Sequence, residues 1–146
     1  ENPGLICTCG KKGCIETFLS GTGFVAHHRM ETGETLTPAD IAARAANGDD
    51  LCDASLTRYE NRLARALASV INLLDPDVIV LGGGVSNIER LYENVPTYWA
   101  KWIFSDHVST RLVAPKFGDS SGVRGAAWLW PETGEADALC HNGASP

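Results

Sequence analysis

The feature that most restricts the fold of this chain is an apolar run followed directly by three glycines. Residues 78–81 read Val-Ile-Val-Leu, and such a run is typical of a strand buried on both faces of a parallel sheet. After the glycines at residues 82–84, Ser86 and Glu89 have the spacing of a capping box, which predicts the start of a helix. Parallel strands covered by helices belong to α/β proteins, which is the fold class that we predict.

The glycine triplet has two interpretations, which the pattern alone leaves open. Only glycine lets a backbone come very close to a phosphate and take up positive φ angles, and a helix N-terminus adds N–H donors. Gly82, Gly83 and Gly84 therefore fit a nucleotide phosphate site. A tight turn from strand to helix, with no ligand, explains the same residues. The segment matches neither a Walker loop nor a G-x-G-x-x-G motif.

Helical periodicity accounts for much of the remaining chain. The strongest helix is predicted at residues 50–74, where apolar residues mark one buried stripe: Leu56, Tyr59, Leu63, Leu67, Val70 and Leu74. A second helix is expected to start at Thr37-Pro38-Ala39-Asp40, which has an N-cap threonine, a first-turn proline and an acid, and to end at Asn47-Gly48. The further predicted elements are a helix over residues 15–30 broken at 20–23, a helix after Ser86 that reaches about Trp102 with a kink near Pro96, a strand at 111–114 and a last helix at 123–130.

Three of the five cysteines fall within eight residues, at Cys7, Cys9 and Cys14, with glycines between them that permit tight turns. Zinc prefers four sulfur or nitrogen ligands, and clustered cysteines in a chain with no mark of secretion favour a metal site over a disulfide. Incidental thiols in a run of turn residues are the alternative. One of the usual four ligands is missing. His27 and His28 lie a helix length beyond Cys14, and we expect them to be partly exposed helix residues.

Composition excludes several classes of protein. The 146 residues suit about one domain, with 44% hydrophobic and 21% charged residues, and the net charge of −6 argues against a basic nucleic-acid face. No apolar run approaches the length of a membrane span, and no signal peptide is recognisable. The chain starts at Glu1 without a methionine, so we expect a fragment of a longer protein. Residues 132–146 are small and polar, which predicts a disordered or extended tail.

The cysteine segment leads to a known family. Residues 7–16 read Cys-x-Cys-Gly-x-x-Gly-Cys-x-Glu, which resembles the signature of the ROK family of repressors, open reading frames and sugar kinases. Residues 75–86 resemble that family's nucleotide segment, and residues 118–127 resemble its C-terminal segment. The resemblance covers about residues 5–131 and is strongest to bacterial fructokinases of the mannose/fructose type.

The resemblance implies a fold and a set of site residues. The fold would be the C-terminal lobe of an actin-like (ribonuclease-H-like) sugar kinase at residues 1–131, with a zinc-binding cysteine knuckle. Cys7, Cys9 and Cys14 would bind zinc, Glu16 would bind the sugar, and the glycine triplet would lie against the nucleotide. Without the resemblance, Glu16 is equally well explained as a residue that caps a helix start.

The resemblance also implies an activity that this chain cannot complete. The expected function is transfer of the γ-phosphate of Mg-ATP to a hexose such as fructose in the cytoplasm, by a protein that forms a homodimer. The N-terminal lobe and the catalytic aspartate are absent from these residues, so we assign no catalytic residue and expect the fragment alone to be inactive. The alternatives are the inducer-binding lobe of a ROK repressor and a structural zinc module without a ligand.

Overall fold

The computed structural model describes residues 4–129 of the chain. The described elements are α1 (Glu16–Leu19), α2 (Gly21–Thr32), α3 (Pro38–Ala46), α4 (Asp50–Leu74), β1 (Val78–Val80), a 3-10 helix (Gly84–Asn87), α5 (Arg90–Trp99), β2 (Arg111–Val113) and α6 (Ser121–Ala127). The predicted tail at residues 132–146 and the end of the predicted last helix at Trp130 lie outside the described residues.

The two strands form a parallel pair with α5 in the connection between them. Val78 lies opposite Arg111 and Val80 lies opposite Val113. Ile79 packs against the core, whereas Val78 and Val80 are 37% and 57% exposed on the other face. The prediction of a strand buried on both faces is therefore wrong within residues 4–129, because those residues cover one face of the sheet and leave the other open.

The long helix α4 forms the centre of the core. Leu56, Tyr59 and Leu63 are buried as predicted, but Val70 and Leu74 are 38% and 74% exposed. The predicted residues recur every 3.6 residues on average and so share one face of the helix. In the last turns the described elements pack on the neighbouring face instead, which carries Ala68 and Ile71.

One of the two predicted helix N-termini forms a capping box. Thr37 Oγ1 accepts a hydrogen bond from the Asp40 amide at 3.1 Å, and the Thr37 amide donates to Asp40 Oδ2 at 3.3 Å. The box predicted from Ser86 is wrong, because the hydroxyl of Ser86 donates to the Gly83 carbonyl at 2.7 Å and Glu89 is the N-cap of α5 without a side-chain cap. Helix α5 also continues through Pro96 and ends at Trp99, earlier than predicted.

Candidate functional site

The cysteine knuckle is a short hairpin that brings its three thiols together. Ile6 and Lys12 form an antiparallel bridge, and the Cys7 amide donates to the Lys11 carbonyl at 2.8 Å. The Sγ atoms of the three predicted ligands all lie within 4.8 Å of one another, and those of Cys9 and Cys14 are 3.5 Å apart. Within residues 4–129 no histidine or carboxylate joins this cluster, so the structure supplies three of the four ligands that zinc prefers.

The electrostatics of the knuckle fit a cation. A hydrogen bond from the Cys9 amide lowers the pKa of Cys7, whereas the hydrogen bond with the Cys9 thiol raises the pKa of Cys14 to about 11. Adjacent thiolates repel each other, so the three thiols cannot all ionise readily without a positive charge among them. Coordination to a metal deprotonates cysteine and removes that conflict. The donor set therefore suits zinc.

The knuckle is joined directly to the helix that carries Glu16. Thr17 is buried, and its Oγ1 donates to the Cys14 carbonyl at 2.7 Å, while its amide donates to the same carbonyl at 2.9 Å. The N-cap of α1 is Ile15, with no side-chain cap, and Glu16 is the first helical residue. Glu16 is thus not the capping residue that the alternative interpretation required. The hydrogen bonds of Thr17 to Cys14 therefore fix the backbone that carries Glu16, whose side chain is exposed.

Helix α2 fixes α1 from the other side through an unusually close contact. A Cβ atom at Gly23 would lie 2.5 Å from the Thr17 carbonyl oxygen and 2.8 Å from the Phe18 nitrogen. The Ser20 hydroxyl accepts a hydrogen bond from the Gly23 amide at 3.0 Å and donates to the Glu16 carbonyl at 2.7 Å. From the sequence alone, Gly23 is interpreted as part of a break in the helix. An isolated glycine within a helical pattern can also indicate close backbone packing, and that signal could have identified this contact.

A cavity of about 240 Å³ opens between the knuckle and α2. Glu16 lines it together with Cys7, Thr8, Thr17 and Thr22. Leu5, Ile6 and Ala26 make most of the rest of the lining apolar. A carboxylate accepts hydrogen bonds and a threonine hydroxyl both donates and accepts, so the polar side of the cavity can bond hydroxyl groups. The predicted sugar residue and one predicted zinc ligand therefore share one cavity.

The glycine triplet forms an exposed loop after β1. Gly83 has a φ of 74°, in the region that favours glycine, and a Cβ atom at any of the three positions would meet no atom of residues 4–129 within 4 Å. The packing of the described residues therefore leaves Gly82 and Gly84 free to be larger. A backbone that stays uncovered beside open space suits the close approach of a ligand. The element that follows is a single 3-10 turn, so the loop itself must supply most N–H donors.

The second glycine-containing loop meets the first. The Gly83 amide donates to the Asp119 carbonyl at 3.3 Å, and Asn87 Nδ2 donates to Asp119 Oδ2 at 3.2 Å. Residues 118–122 and 82–84 are thus brought together at the same end of the parallel strands, as the resemblance implied. Ligand sites in open α/β sheets commonly lie at that end.

Neither histidine beyond the knuckle joins the thiols. His27 is half-buried, as expected, but His28 is only 1% exposed, and its Nδ1 lies 2.9 Å from Ser55 Oγ on α4. The expectation of a partly exposed His28 is therefore wrong. Its position on α2 faces the core helix, which explains the burial.

Comparison with known proteins yields a family and several relatives. The family model described as "ROK family" matches residues 1–133. An N-acetyl-D-glucosamine kinase from Vibrio vulnificus is 39% identical over 127 residues, which make up 87% of this chain and 42% of that protein. The chain thus spans about two fifths of the length of the curated relatives it matches. Those relatives are N-acetyl-D-glucosamine kinases rather than the fructokinases that the sequence suggested.

Two solved structures share the fold of this chain, one of a sugar kinase and one of a transcriptional regulator. A ROK family glucokinase from Streptomyces griseus, in complex with glucose and AMPPNP, has a TM-score of 0.75 at 25% identity and covers 88% of this chain and 48% of its own. A ROK family transcriptional regulator, a homolog of the E. coli MLC protein, has a TM-score of 0.66 at 27% identity and covers 78% and 32%. The predicted α/β fold of ROK sugar kinases is confirmed. Within residues 4–129, no helix is both long enough and apolar enough to cross a membrane.

Proposed function

This chain belongs to the ROK family, and from that premise we propose that it is the C-terminal part of an ATP-dependent hexose kinase. The observation that carries the proposal is the proximity of the two candidate subsites. The first residue of α2, Gly21, packs on Val85, whose Cγ2 would lie 3.4 Å from a Cβ atom at Gly21. Val85 directly follows the glycine triplet, and only Ser20 separates Gly21 from α1, the helix that begins with Glu16. Phosphoryl transfer requires a hydroxyl and a nucleotide phosphate side by side, and this contact supports that arrangement.

In this proposal the chain holds both substrates without performing the proton transfer. Glu16 accepts hydrogen bonds from two sugar hydroxyls, since an ionised carboxylate only accepts. The backbone of Gly82, Gly83 and Gly84 lies against the ADP part of Mg-ATP. The general base that takes the proton from the attacking hydroxyl belongs to the N-terminal part of the protein. The chain's own contribution to the rate is positioning, and the magnesium ion would help to neutralise the phosphate charge.

The knuckle serves the sugar subsite in the same proposal. Cys7, Cys9 and Cys14 would hold a structural zinc ion, and a fourth ligand would come from outside residues 4–129. Because Thr17 ties Cys14 to α1, order in the knuckle is transmitted to Glu16. When bound, zinc would supply rigidity to the cavity wall and take no part in the transfer of phosphate.

For the sugar, we propose N-acetyl-D-glucosamine ahead of fructose. The support is the identity of 39–41% with several N-acetyl-D-glucosamine kinases. Fructose follows from the resemblance of the whole run of residues to fructokinases. We further propose that the protein works as a cytoplasmic homodimer, as sugar kinases of this family commonly do.

A ROK repressor that binds a sugar as inducer is the second candidate. The solved transcriptional regulator, which shares the fold, favours it. The exposed glycine loop favours the kinase, because the described packing does not require three successive glycines there.

A coupled ADP-release assay on the full-length protein tests the proposal. The sugars are N-acetylglucosamine, fructose, mannose and glucose, each with Mg-ATP and zinc present. We expect turnover with at least one sugar, and the highest kcat/KM with N-acetylglucosamine. If none of the four sugars supports ADP release, the kinase proposal fails and the repressor becomes the better account.

A further inference from the structure

Two neighbouring residues of α4 contact the helices that lie beside the two candidate subsites. The hydroxyl of Tyr59 donates to the Leu19 carbonyl at 2.8 Å, at the end of the helix that begins with Glu16. The next residue, Glu60, has no exposed surface and contacts α5. Helix α5 is the first α-helix after the glycine loop. One helix therefore supports both subsites, through adjacent side chains.

The contact between Glu60 and α5 is made by Arg90, the first residue of α5. Arg90 Nε lies 2.8 Å from Glu60 Oε1 as an ion pair, and its Nη2 donates to Thr57 Oγ1 at 2.8 Å. Its Nη1 pairs with Asp53, and Asn94 Nδ2 donates to both Glu60 oxygens at 3.1–3.2 Å. A buried carboxylate is tolerated only when it is paired and hydrogen-bonded, which these partners achieve. The guanidinium fork is therefore held by several α4 groups at once.

The first turn of α5 is connected in turn to the glycine loop. The Tyr92 hydroxyl donates to the Ser86 carbonyl at 2.7 Å. The Ser86 hydroxyl and amide both bond to the Gly83 carbonyl, at 2.7 and 3.0 Å. Since α5 has no side-chain N-cap, the contacts of Arg90 are what hold its first turn on α4. A continuous set of contacts thus runs from α4 through Arg90 and Tyr92 to Gly83.

We infer that Arg90 is a positioning residue for the nucleotide. It holds the start of α5 on α4, with Glu60 as its buried partner, and thereby sets the position of the Gly82–Gly84 loop. The inference deepens the proposed function and rests on its assignment of that loop to ADP. Tyr59 has the corresponding role on the sugar side, because it holds the end of α1. Loss of the Arg90 contacts should therefore weaken nucleotide binding and spare the sugar, and loss of the Tyr59 hydroxyl should weaken sugar binding and spare the nucleotide.

The test compares three variants of the full-length protein with wild type. Arg90→Lys keeps the charge but loses the fork, and we expect it to raise the Kd for ADP about tenfold while the KM for sugar stays within about twofold. Tyr59→Phe keeps the ring packed 4.7 Å from the Phe24 ring, and we expect the reverse pattern. Arg58→Ala is the matched control, since Arg58 forms an exposed ion pair with Glu31 from the same turn of α4, and both constants should stay unchanged.

Two further measurements keep the inference testable if Arg90→Lys folds poorly or the loop has no nucleotide. The double change Arg90→Met and Glu60→Met removes the buried carboxylate together with its half-buried partner. Proteins often tolerate the replacement of both members of such a pair, and the double variant should weaken ADP binding to a similar extent. Hydrogen exchange of the Ser86 amide reports loop order without any ligand, and we expect exchange about tenfold faster in both Arg90 variants than in Arg58→Ala.

The outcomes separate the inference from the function. Wild-type ADP affinity and wild-type Ser86 exchange in both folded Arg90 variants would overturn the inference, and so would equal changes in the ADP and sugar constants. If wild type itself fails to bind ADP, the proposed function fails. Faster Ser86 exchange would then still support Arg90 as the residue that holds the loop, and unchanged exchange would still overturn it.

Discussion

Gly23 and Gly82 lie in the two halves of the candidate site and have opposite surroundings. A Cβ atom at Gly23 would lie 2.5 Å from the backbone of Thr17, whereas a Cβ atom at Gly82 would meet no atom of the described part of the chain within 4 Å. On the sugar side, glycine is required because two helices of the protein pack backbone to backbone. On the nucleotide side, the fold makes no such demand.

A glycine can be required by the packing of the fold or by the approach of a ligand, and the two cases look alike in a sequence. Packing requires the glycine at position 23, so its loss is expected to affect the folded state first. No described residue would contact a side chain added at positions 82 and 84, so the loss of these glycines is expected to affect a ligand that approaches the loop. Stability and affinity measurements on matched substitutions can therefore break or sharpen the comparison.

The largest effect is expected for Gly23→Ala. The added methyl group would collide with backbone atoms, which cannot rotate away as a side chain can. We therefore expect the unfolding free energy to fall by about 3 kcal/mol, the upper end of the usual cost of overpacking. Denaturant unfolding of the full-length protein measures it. Gly82→Ala is the matched control, and its stability should stay within about 0.5 kcal/mol of wild type. Equal stability of the two variants would remove the basis of the comparison.

The second effect concerns the knuckle, which orders the sugar side. Cys9→Ser removes one of three clustered ligands, so we expect loss of bound zinc and a fall in sugar affinity of about tenfold. ADP affinity should not change. Metal analysis and sugar titration check both parts, and Cys52→Ala, which removes a buried thiol of α4 outside the cluster, should retain zinc. Normal zinc content together with normal sugar affinity in Cys9→Ser would contradict this role.

A smaller effect is expected within the nucleotide loop, where only one of the three glycines has a positive φ that would strain any other residue. Gly83 has a φ of 74°, so Gly83→Ala should cost about 1–2 kcal/mol of stability, whereas Gly84→Ala should cost almost nothing. Thermal unfolding of the two variants under identical conditions compares them. A cost at position 84 as large as that at position 83 would show that packing also restricts this loop.

The smallest effect is expected at the N-terminus of α4, the helix that contacts both halves of the candidate site. Asp49 caps α4, and hydrogen bonds from the Cys52 amide and then from Arg44 lower its pKa. A carboxylate whose pKa is lower in the folded than in the unfolded chain stabilises the fold above the unfolded pKa, about 4, and loses this effect as the pH falls through the folded pKa.

Asp49→Asn keeps a capping side chain without the charge. At neutral pH we expect a decrease in Tm smaller than that of Gly83→Ala, and the difference from wild type should vanish in acid. Sugar and ADP affinities should not change relative to each other. A Tm difference that persists unchanged at low pH would contradict the charge effect.

Local patterns predicted the parts of the fold that depend on near neighbours in the chain. The capping box at Thr37 and the ends of α4 at residues 50 and 74 agree with the structure. The three thiols of the knuckle also lie together as expected, since the hairpin that joins them spans only a few residues. Each of these features is determined by residues that lie close together in the sequence.

The remaining features depend on contacts between distant segments, which spacing does not reveal. Ser86 bonds to Gly83 instead of capping α5, and Gly23 packs on Thr17. Glu60 had a usable signal, because it lies four residues after Leu56 on the buried side of α4. Its partner, Arg90, is thirty residues away in the chain and could not be identified from the sequence.

The most direct test of the central claim is calorimetric titration of the full-length protein with ADP, for wild type and for the double change Gly82→Ala and Gly84→Ala. The claim is that these glycines are present for a nucleotide and not for the fold. We therefore predict binding by wild type, at least about tenfold weaker binding by the variant, and equal unfolding free energies for the two proteins. Equal ADP affinity in both proteins, or no ADP binding by wild type, would contradict the account.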